Sequence, residues 1–312
     1  DALNDIVVRG NAPNGLLWRL DGIEIPNPNH FGVMGSTGGP VSMLNNNVLS
    51  NSGFMTAAFP AEYMNALSGV FDLKVRNGNY DNHEFLGQVG FNGFELGAEG
   101  PISRRNYASY LINYRYSTLG VLKSLGVDFG TGTAIPEYQD LSLKVNIPTA
   151  RAGKFSLTAL GGINSIEFIN SDKEEDDSDS FYDTDYIDIY NDNYSGALIL
   201  NHVFSFSDRT YSSVRFAFTG IENKGKVDSI STEDRSILDL QGRRYTKNDM
   251  HFNFTLNHKL SARDKLKGGV RYRIMDFNLV DSVFYNHLDE FRTILDQEGN
   301  TALIQGHVHW QH

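Results

Sequence analysis

Carboxylates crowd one stretch of the chain. Between Lys173 and Asp192 stand Glu174, Glu175, Asp176, Asp177, Asp179, Asp183, Asp185, Asp188 and Asp192. Oxygen ligands at this density suit Ca²⁺. No glycine occupies the turn position of an EF-hand-type loop, so a solvated surface loop over 172–192 is the expected reading. His307 and His309 share a strand face, which begins a metal site. No third ligand lies within sequence reach, so they read as polar wall residues and no metal is expected there. Cysteine is absent, which removes thiol nucleophiles, disulfides and cysteine-ligated zinc. Gly35–Gly39 lacks the Gly-Lys-Ser/Thr ending of a phosphate loop, and neither Gly-x-Ser-x-Gly nor His-Glu-x-x-His occurs. Sequence alone does not set two carboxylates at a glycosidase spacing. Neither an enzyme nor a cofactor is expected.

The elements that would carry these residues read as strands. The chain has 20 Phe and 15 Tyr, with 30 Gly against only 8 Pro, a balance that favours strands and turns over long helices. A net charge of −11 argues against nucleic acid as a partner, because phosphate binding needs a basic face. No apolar run approaches the ~18 residues of a spanning helix, and no signal peptide opens the chain. A membrane-crossing form would therefore be a barrel, whose strands are never apolar overall.

Beyond Gly78 period-two alternation dominates. Met250, Phe252, Phe254 and Leu256 oppose His251, Asn253, Thr255 and Asn257. Leu141, Leu143, Val145 and Ile147 oppose Ser142, Lys144 and Asn146. Strands are expected over 84–91, 94–100, 107–116, 138–147, 154–167, 194–206, 210–221, 247–260, 265–277 and 303–311. Pro101–Asn106, Pro148–Gly153, Ser207–Arg209 and Ser261–Asp264 are short connections. Tyr116–Glu137, Phe168–Asn193, Glu222–Thr246 and Asn278–Thr301 are long. Short turns at one rim and long loops at the other are how outer-membrane barrels are built. The alternative is a soluble, secreted all-β binding or adhesion module, but its strands would run only ~5–6 residues.

The polar strand faces carry Arg115, Lys144, Arg215, Lys259, Lys267, Arg271 and Arg273. Facing lipid, each would cost ~2–4 kcal/mol at mid-bilayer, so this face is expected to line the lumen. There the cations would pair with carboxylates or draw in an anionic ligand.

The first part of the chain has another texture. Asp5 to Gly22 reads as two short strands, Ile6–Val8 and Leu16–Leu20, joined by a loop containing Gly10, Pro13 and Gly15. Pro26-Asn27-Pro28-Asn29-His30 leads into the glycine-rich loop from Gly32 to Pro40. Val41–Leu49 reads as one or two helical turns weakened by Asn45–Asn47. Gly69–Arg76 alternates as a strand.

These pieces, in order, carry a resemblance. Val7-Val8-Arg9-Gly10, Leu20-Asp21-Gly22-Ile23-Glu24-Ile25, Phe59-Pro60-Ala61-Glu62-Tyr63 and Leu67-Ser68-Gly69-Val70-Phe71-Asp72-Leu73 resemble the plug of TonB-dependent outer-membrane receptors, in the variant common in Bacteroidetes. Leu96–Ile102 looks like the family's first periplasmic turn, and Pro136–Leu141 like the start of a later strand. The Arg-Gly-Pro before the last plug strand and the Gly after Tyr63 that are widespread in the family are replaced here by Thr56–Pro60 and Met64.

The resemblance implies a mainly β fold, with a partial plug over 1–78 followed by part of a large antiparallel transmembrane β-barrel over 79–312. About ten strands of an expected 22 would be present. A signal peptide, the TonB-contacting segment and the early plug would precede Asp1, and further strands would follow His312. The implied function is TonB-energised uptake of a scarce nutrient: siderophore, cobalamin, haem, oligosaccharide or peptide. Implied partners are that ligand, TonB and outer-membrane lipid, with a surface lipoprotein over the loops as a further candidate. By position, the plug loops put Asn11, Asn14, Asn27, Asn29, His30 and Phe31 toward the ligand, while Arg9 and Arg19 support the plug.

Overall fold

A computed structural model of the chain describes residues 4–90, 93–118, 135–171, 186–231, 234–285 and 290–312. Ten strands form one antiparallel sheet in sequence order. They are β7 (Glu84–Gly90), β8 (Gly93–Ser103), β9 (Ala108–Tyr116), β10 (Ile135–Pro148), β11 (Lys154–Phe168), β12 (Ile187–Ser207), β13 (Thr210–Ile230), β14 (Ile237–Lys259), β15 (Lys265–Tyr285) and β16 (Glu290–Gln311). This meander is the wall. Six shorter strands precede it: β1 (Leu16–Leu20), β2 (Ile23–Glu24), β3 (Asn29–His30), β4 (Val41–Ser42), β5 (Gly53–Met55) and β6 (Gly69–Leu73). They build a four-stranded sheet in the order β2-β1-β6-β5 and a small β3-β4 pair. In the first sheet β1 runs parallel to β6, and the other pairs are antiparallel. This unit is the plug.

The wall has two faces of opposite character, as alternation requires. Leu141, Leu198, Leu200, Phe216, Phe218, Met250 and Phe254 are exposed on one face. Ser142, Lys144, Thr158, Asn164, Asn193, Thr219, Asn223, His251 and Asn253 are buried on the other, against the plug. An apolar face turned outward and a polar one turned inward is a barrel wall in lipid, and the opposite of a soluble sandwich. Phe216→Arg is therefore expected to destabilise the protein by about 2–4 kcal/mol in lipid vesicles, read by urea unfolding.

Strands β12 to β16 run 21 to 23 residues, far longer than alternation predicts. The extra length lies at the long-connection rim. Glu222, Lys224 and Lys226 alternate there with Asn223, Gly225 and Val227, so the face that is apolar lower down turns charged while the hydrogen-bonded ladder continues. Beyond the lipid neither face needs to be apolar, and the periodic signal fades before the strand does. Pro101 lies inside β8, where the register shifts between Pro101 and Ser103, so the first short turn is Arg104–Tyr107.

Two plug expectations fail. Ile6–Val8 is not a strand; Ile6 donates its N–H to Thr37 Oγ1 instead. No helix forms over Val41–Leu49. There the Asn45 side chain accepts from Asn47 N and its carbonyl accepts from Val48 N, which closes a turn in place of a helical ladder.

Plug and wall share one core. Leu20, Ile23, Met43, Val48, Leu73 and Val75 of the plug unit pack with Leu111, Leu160, Ala197 and Ile199 of the wall. These four are apolar interruptions of the lumen-facing side, placed where the plug sheet lands.

Candidate functional site: the apex loop and the plug–wall seam

The loop from Asn27 to Gly38 stands against wall residues on the long-connection side. Its interior is fixed by amides and hydroxyls. Asn27 Nδ2 donates to Gly38 O at 2.7 Å and Ser36 Oγ at 3.2 Å, and Asn29 Nδ2 donates to Asn27 Oδ1 at 2.7 Å. Asp5 Oδ1 accepts from the Thr37 and Gly38 N–H groups, which ties the start of the chain to this loop. At the tip, Ser36 closes a turn on Val33, and Gly35 has φ +89°.

His30 is fully buried. Its Nε2 lies 3.0 Å from Asp140 Oδ2, and its Nδ1 lies 3.2 Å from Asn164 Nδ2. Asp140 in turn accepts from Arg115 Nε and Nη2, and Arg115 also donates to Ser42 O of the plug. A second net starts at Asn164. Tyr138, Asn164, Asn193 and Asn223 are register partners on four consecutive strands. Asn223 Nδ2 donates to Asn193 Oδ1, and Asn193 Nδ2 to Asn164 Oδ1. The free ends of this ladder take the loop backbone: Phe31 N bonds Asn164 Oδ1 at 3.0 Å, and Met34 N bonds Asn223 Oδ1 at 2.7 Å.

The six residues expected from sequence thus fall into two groups. Asn27 and His30 are buried, and both, with half-buried Asn29, are committed to holding the loop. Asn11 and Asn14 are exposed, on turns shaped by Arg9 (φ +54°), Gly10 (φ +73°) and Pro13–Gly15. Phe31 is half-buried, edge-on to Tyr138 at 6.4 Å, with φ +62°. A bulky residue in the left-handed region is an outlier that its surroundings must enforce. Sequence reasoning missed Asp140, Asn164, Asn193 and Asn223. The available signal was an asparagine at the same height on the polar face of successive strands.

Below the apex the seam is ionic. Lys144 Nζ lies 2.5 Å from Asp21 Oδ2, and Thr158 Oγ1 donates to the same oxygen at 2.6 Å. Arg273 bridges Glu24 at 2.6 Å and Asp249 at 2.5 Å. Glu62 accepts from Lys267 Nζ at 2.6 Å and from both Arg19 Nη groups at 3.3 Å, while its carbonyl accepts from Arg271 Nη2. Burial works against the Glu62 charge, but the Lys267 hydrogen bond and the Arg19 and Lys267 charges outweigh it, so this carboxyl sits below its ordinary range. Most of the cations on the polar strand faces are therefore paired. Arg115, Lys144, Lys267 and Arg273 meet carboxylates, and Arg271 meets the Glu62 carbonyl. Arg19 is buried between Glu62 and the Tyr63 ring, as a support of the plug.

Of the acidic run over 172–192, residues 172–185 lie outside the described residues. Asp188 stands within β12 and accepts the N–H groups of Asn170 and Ser171. Among the described residues no group of three or more His, Asp or Glu side chains is arranged to hold a metal.

No family model matches the chain, and no curated protein sequence matches it. Solved structures do. The chain is similar to the pyoverdine outer-membrane receptor FpvA of Pseudomonas aeruginosa PAO1, with a TM-score of 0.63 and 12% identity over 94% of this chain and 47% of that one. It is similar to the siderophore receptor PiuA of Acinetobacter baumannii, with a TM-score of 0.59 and 9% identity over 99% and 50%. The ferric preacinetobactin receptor BauA of Acinetobacter baumannii gives 0.57 and 9% over 94% and 46%. The chain spans about half the length of these structures. With an outward apolar wall and an inward polar seam filled by a plug, it has the fold of a TonB-dependent outer-membrane receptor over that half.

Proposed function

We propose that this chain is the plug and wall portion of a receptor that takes up a scarce nutrient across the outer membrane with energy from TonB. Residues 1–78 act as the plug and 79–312 as the wall. The observation that carries this reading is the docked plug: the apex loop is bonded to three wall strands, β10, β11 and β13, and ion pairs hold the layer below it. The names of similar structures, receptors for pyoverdine and ferric preacinetobactin among them, support a small nutrient-bearing solute. Asn11, Asn14 and Phe31 contact the ligand. Asn27, Asn29 and His30 hold the loop that presents Phe31. TonB engages a segment outside this chain, lipid covers the apolar face, and a surface lipoprotein over the loops is a compatible partner. Neutral amides bond a polar ligand without fixing its charge.

The test uses cells that carry the full-length protein as their sole route for a panel of nutrients: siderophore iron, haem, cobalamin, oligosaccharide and peptide. One of these is expected to support growth with TonB and not without it. Asn11→Ala with Asn14→Ala is expected to weaken uptake roughly tenfold at limiting nutrient, the loss of about one hydrogen bond at each amide. TonB-independent growth on every nutrient would reject the reading.

A further inference from the structure

Above the row that seats the apex loop, the wall turns two opposite charges inward and leaves them apart. Asn191, Gly225, Arg243 and Asp281 are register partners on β12, β13, β14 and β15. Their row lies two residues, about 7 Å, beyond the row of Asn193, Asn223 and Tyr245, where Met34 N is bonded. It therefore faces the space over the loop tip. Asp192, Glu222, Lys224 and Lys226 alternate with these residues and point outward. The inward charges above and below pair among themselves, Glu290 with Arg292 at 2.6 Å and Lys247 with Asp249 at 3.9 Å.

Arg243 and Asp281 are cross-strand neighbours of opposite sign, yet no ion pair joins them. Arg243 leans the other way. Its side chain lies across Gly225, where a Cβ would come 2.5 Å from Arg243 Nε, and its Nη2 donates to Asn191 Oδ1 at 3.3 Å. Asp281 is held on the β14 side by Gln241 Nε2 at 3.0 Å and by Tyr245 OH at 3.3 Å. Among the described residues, no carboxylate pairs with Arg243 and no cation pairs with Asp281. The missing side chain at 225 is what lets the guanidinium lie so far over. A guanidinium over β13 and a carboxylate beside β15 are two strand spacings apart, ~10 Å.

A solute with a carboxylate and an ammonium group at that spacing satisfies both. The guanidinium fork takes a carboxylate through parallel N–H donors. Asp281 keeps lone pairs for an ammonium beyond those that Gln241 and Tyr245 use. Three extended residues span ~10 Å, so the two ends of a tripeptide fit.

We propose that Arg243 and Asp281, held apart across Gly225, form the wall side of the solute site and select short peptides with both ends free. The proposal rests on the receptor reading above and names its substrate class. Binding is measured without TonB, so its failure leaves TonB-dependent growth on another nutrient readable.

Trialanine, N-acetyl-trialanine and trialanine amide are titrated calorimetrically into the full-length protein in detergent micelles, with heat-modifiable gel mobility reporting a folded barrel. The wild type is expected to bind trialanine roughly tenfold tighter than either capped form, the scale of one charge-assisted bond. Arg243→Gln is expected to bind trialanine and its amide alike while still rejecting the acetyl form. Asp281→Asn is expected to do the reverse. Gly225→Leu keeps both charges but fills the cradle, and is expected to behave as Arg243→Gln does. A purely structural role would weaken all three peptides together. A wild type that binds none of the three, or the capped forms as tightly as trialanine, overturns the proposal. So do folded variants that lose all three peptides alike or keep the wild-type preference.

Discussion

Asp140→Asn loosens the apex loop on the wall and lowers the stability of the full-length protein by about 3–5 kcal/mol, the cost of breaking one side of a buried charge pair. The carboxylate is 1% exposed and serves three donors at once: Arg115 Nε, Arg115 Nη2 and the His30 ring. An amide offers one oxygen and turns an NH₂ toward a guanidinium that has only donors. With the amide nitrogen at the Oδ2 position, Arg115 keeps the Ser42 carbonyl and one Nε bond to the amide oxygen, and the His30 ring nitrogen faces another donor. Urea unfolding in lipid vesicles reads the stability loss, and limited proteolysis within Asn27–Gly38 reads the loosened loop. A loss below about 1 kcal/mol, the scale of an exposed ion pair, would mean that the cluster is solvated and holds nothing.

Leu20→Ala acts on the same interface from its apolar side. Leu20 is fully buried at the end of β1, within the core shared by Ile23, Met43 and Val48 of the plug and Leu160 and Ile199 of the wall. Truncation leaves a cavity whose cost is about 2–5 kcal/mol, depending on how far the site collapses. Leu20 belongs to the core that plug and wall share, so the loss falls on docking. The expected signature is a plug that is cut by protease while the wall strands stay protected. Equal protection of both would place Leu20 outside the docking surface.

Much of the fold was legible because a barrel wall writes its two environments into alternate residues. Met250 to Leu256 and Leu141 to Ile147 announce lipid on one side and a polar lumen on the other, and the exposures agree. The strand ends at the extracellular rim were not legible. Outside the lipid the outward residue is the charged Lys224 while inward Asn223 is buried and polar, so the apolar–polar alternation stops while pairing with β14 goes on. The plug was harder to read. Its strands are two to five residues long, too short for a period to show. Ile6–Val8 looks like a strand because it is apolar, yet it is held by Thr37.

The candidate site was half legible. Glycine and proline marked the loops that carry Asn11, Asn14 and Phe31. That His30 would be consumed by Asp140 was not visible, because the two residues are 110 positions apart and meet only when β3 docks on β10. The asparagines of the ladder resemble any polar wall residue until the register places Asn164, Asn193 and Asn223 side by side.

The central claim is that this plug closes the lumen by bonding to the wall and must leave it for transport. The chain contains no cysteine, so within it an introduced pair has no competing thiol. Met34 N and Asn223 Oδ1 are 2.7 Å apart across the seam, so Met34→Cys with Asn223→Cys, joined by a short reducible thiol crosslinker, tethers the apex loop to β13. The measurement is TonB-dependent uptake of the nutrient that supports growth, in the full-length protein, before and after reduction of the tether. Blocked uptake that returns on reduction is the predicted result. Uptake at the wild-type rate with the tether fully formed would contradict the account.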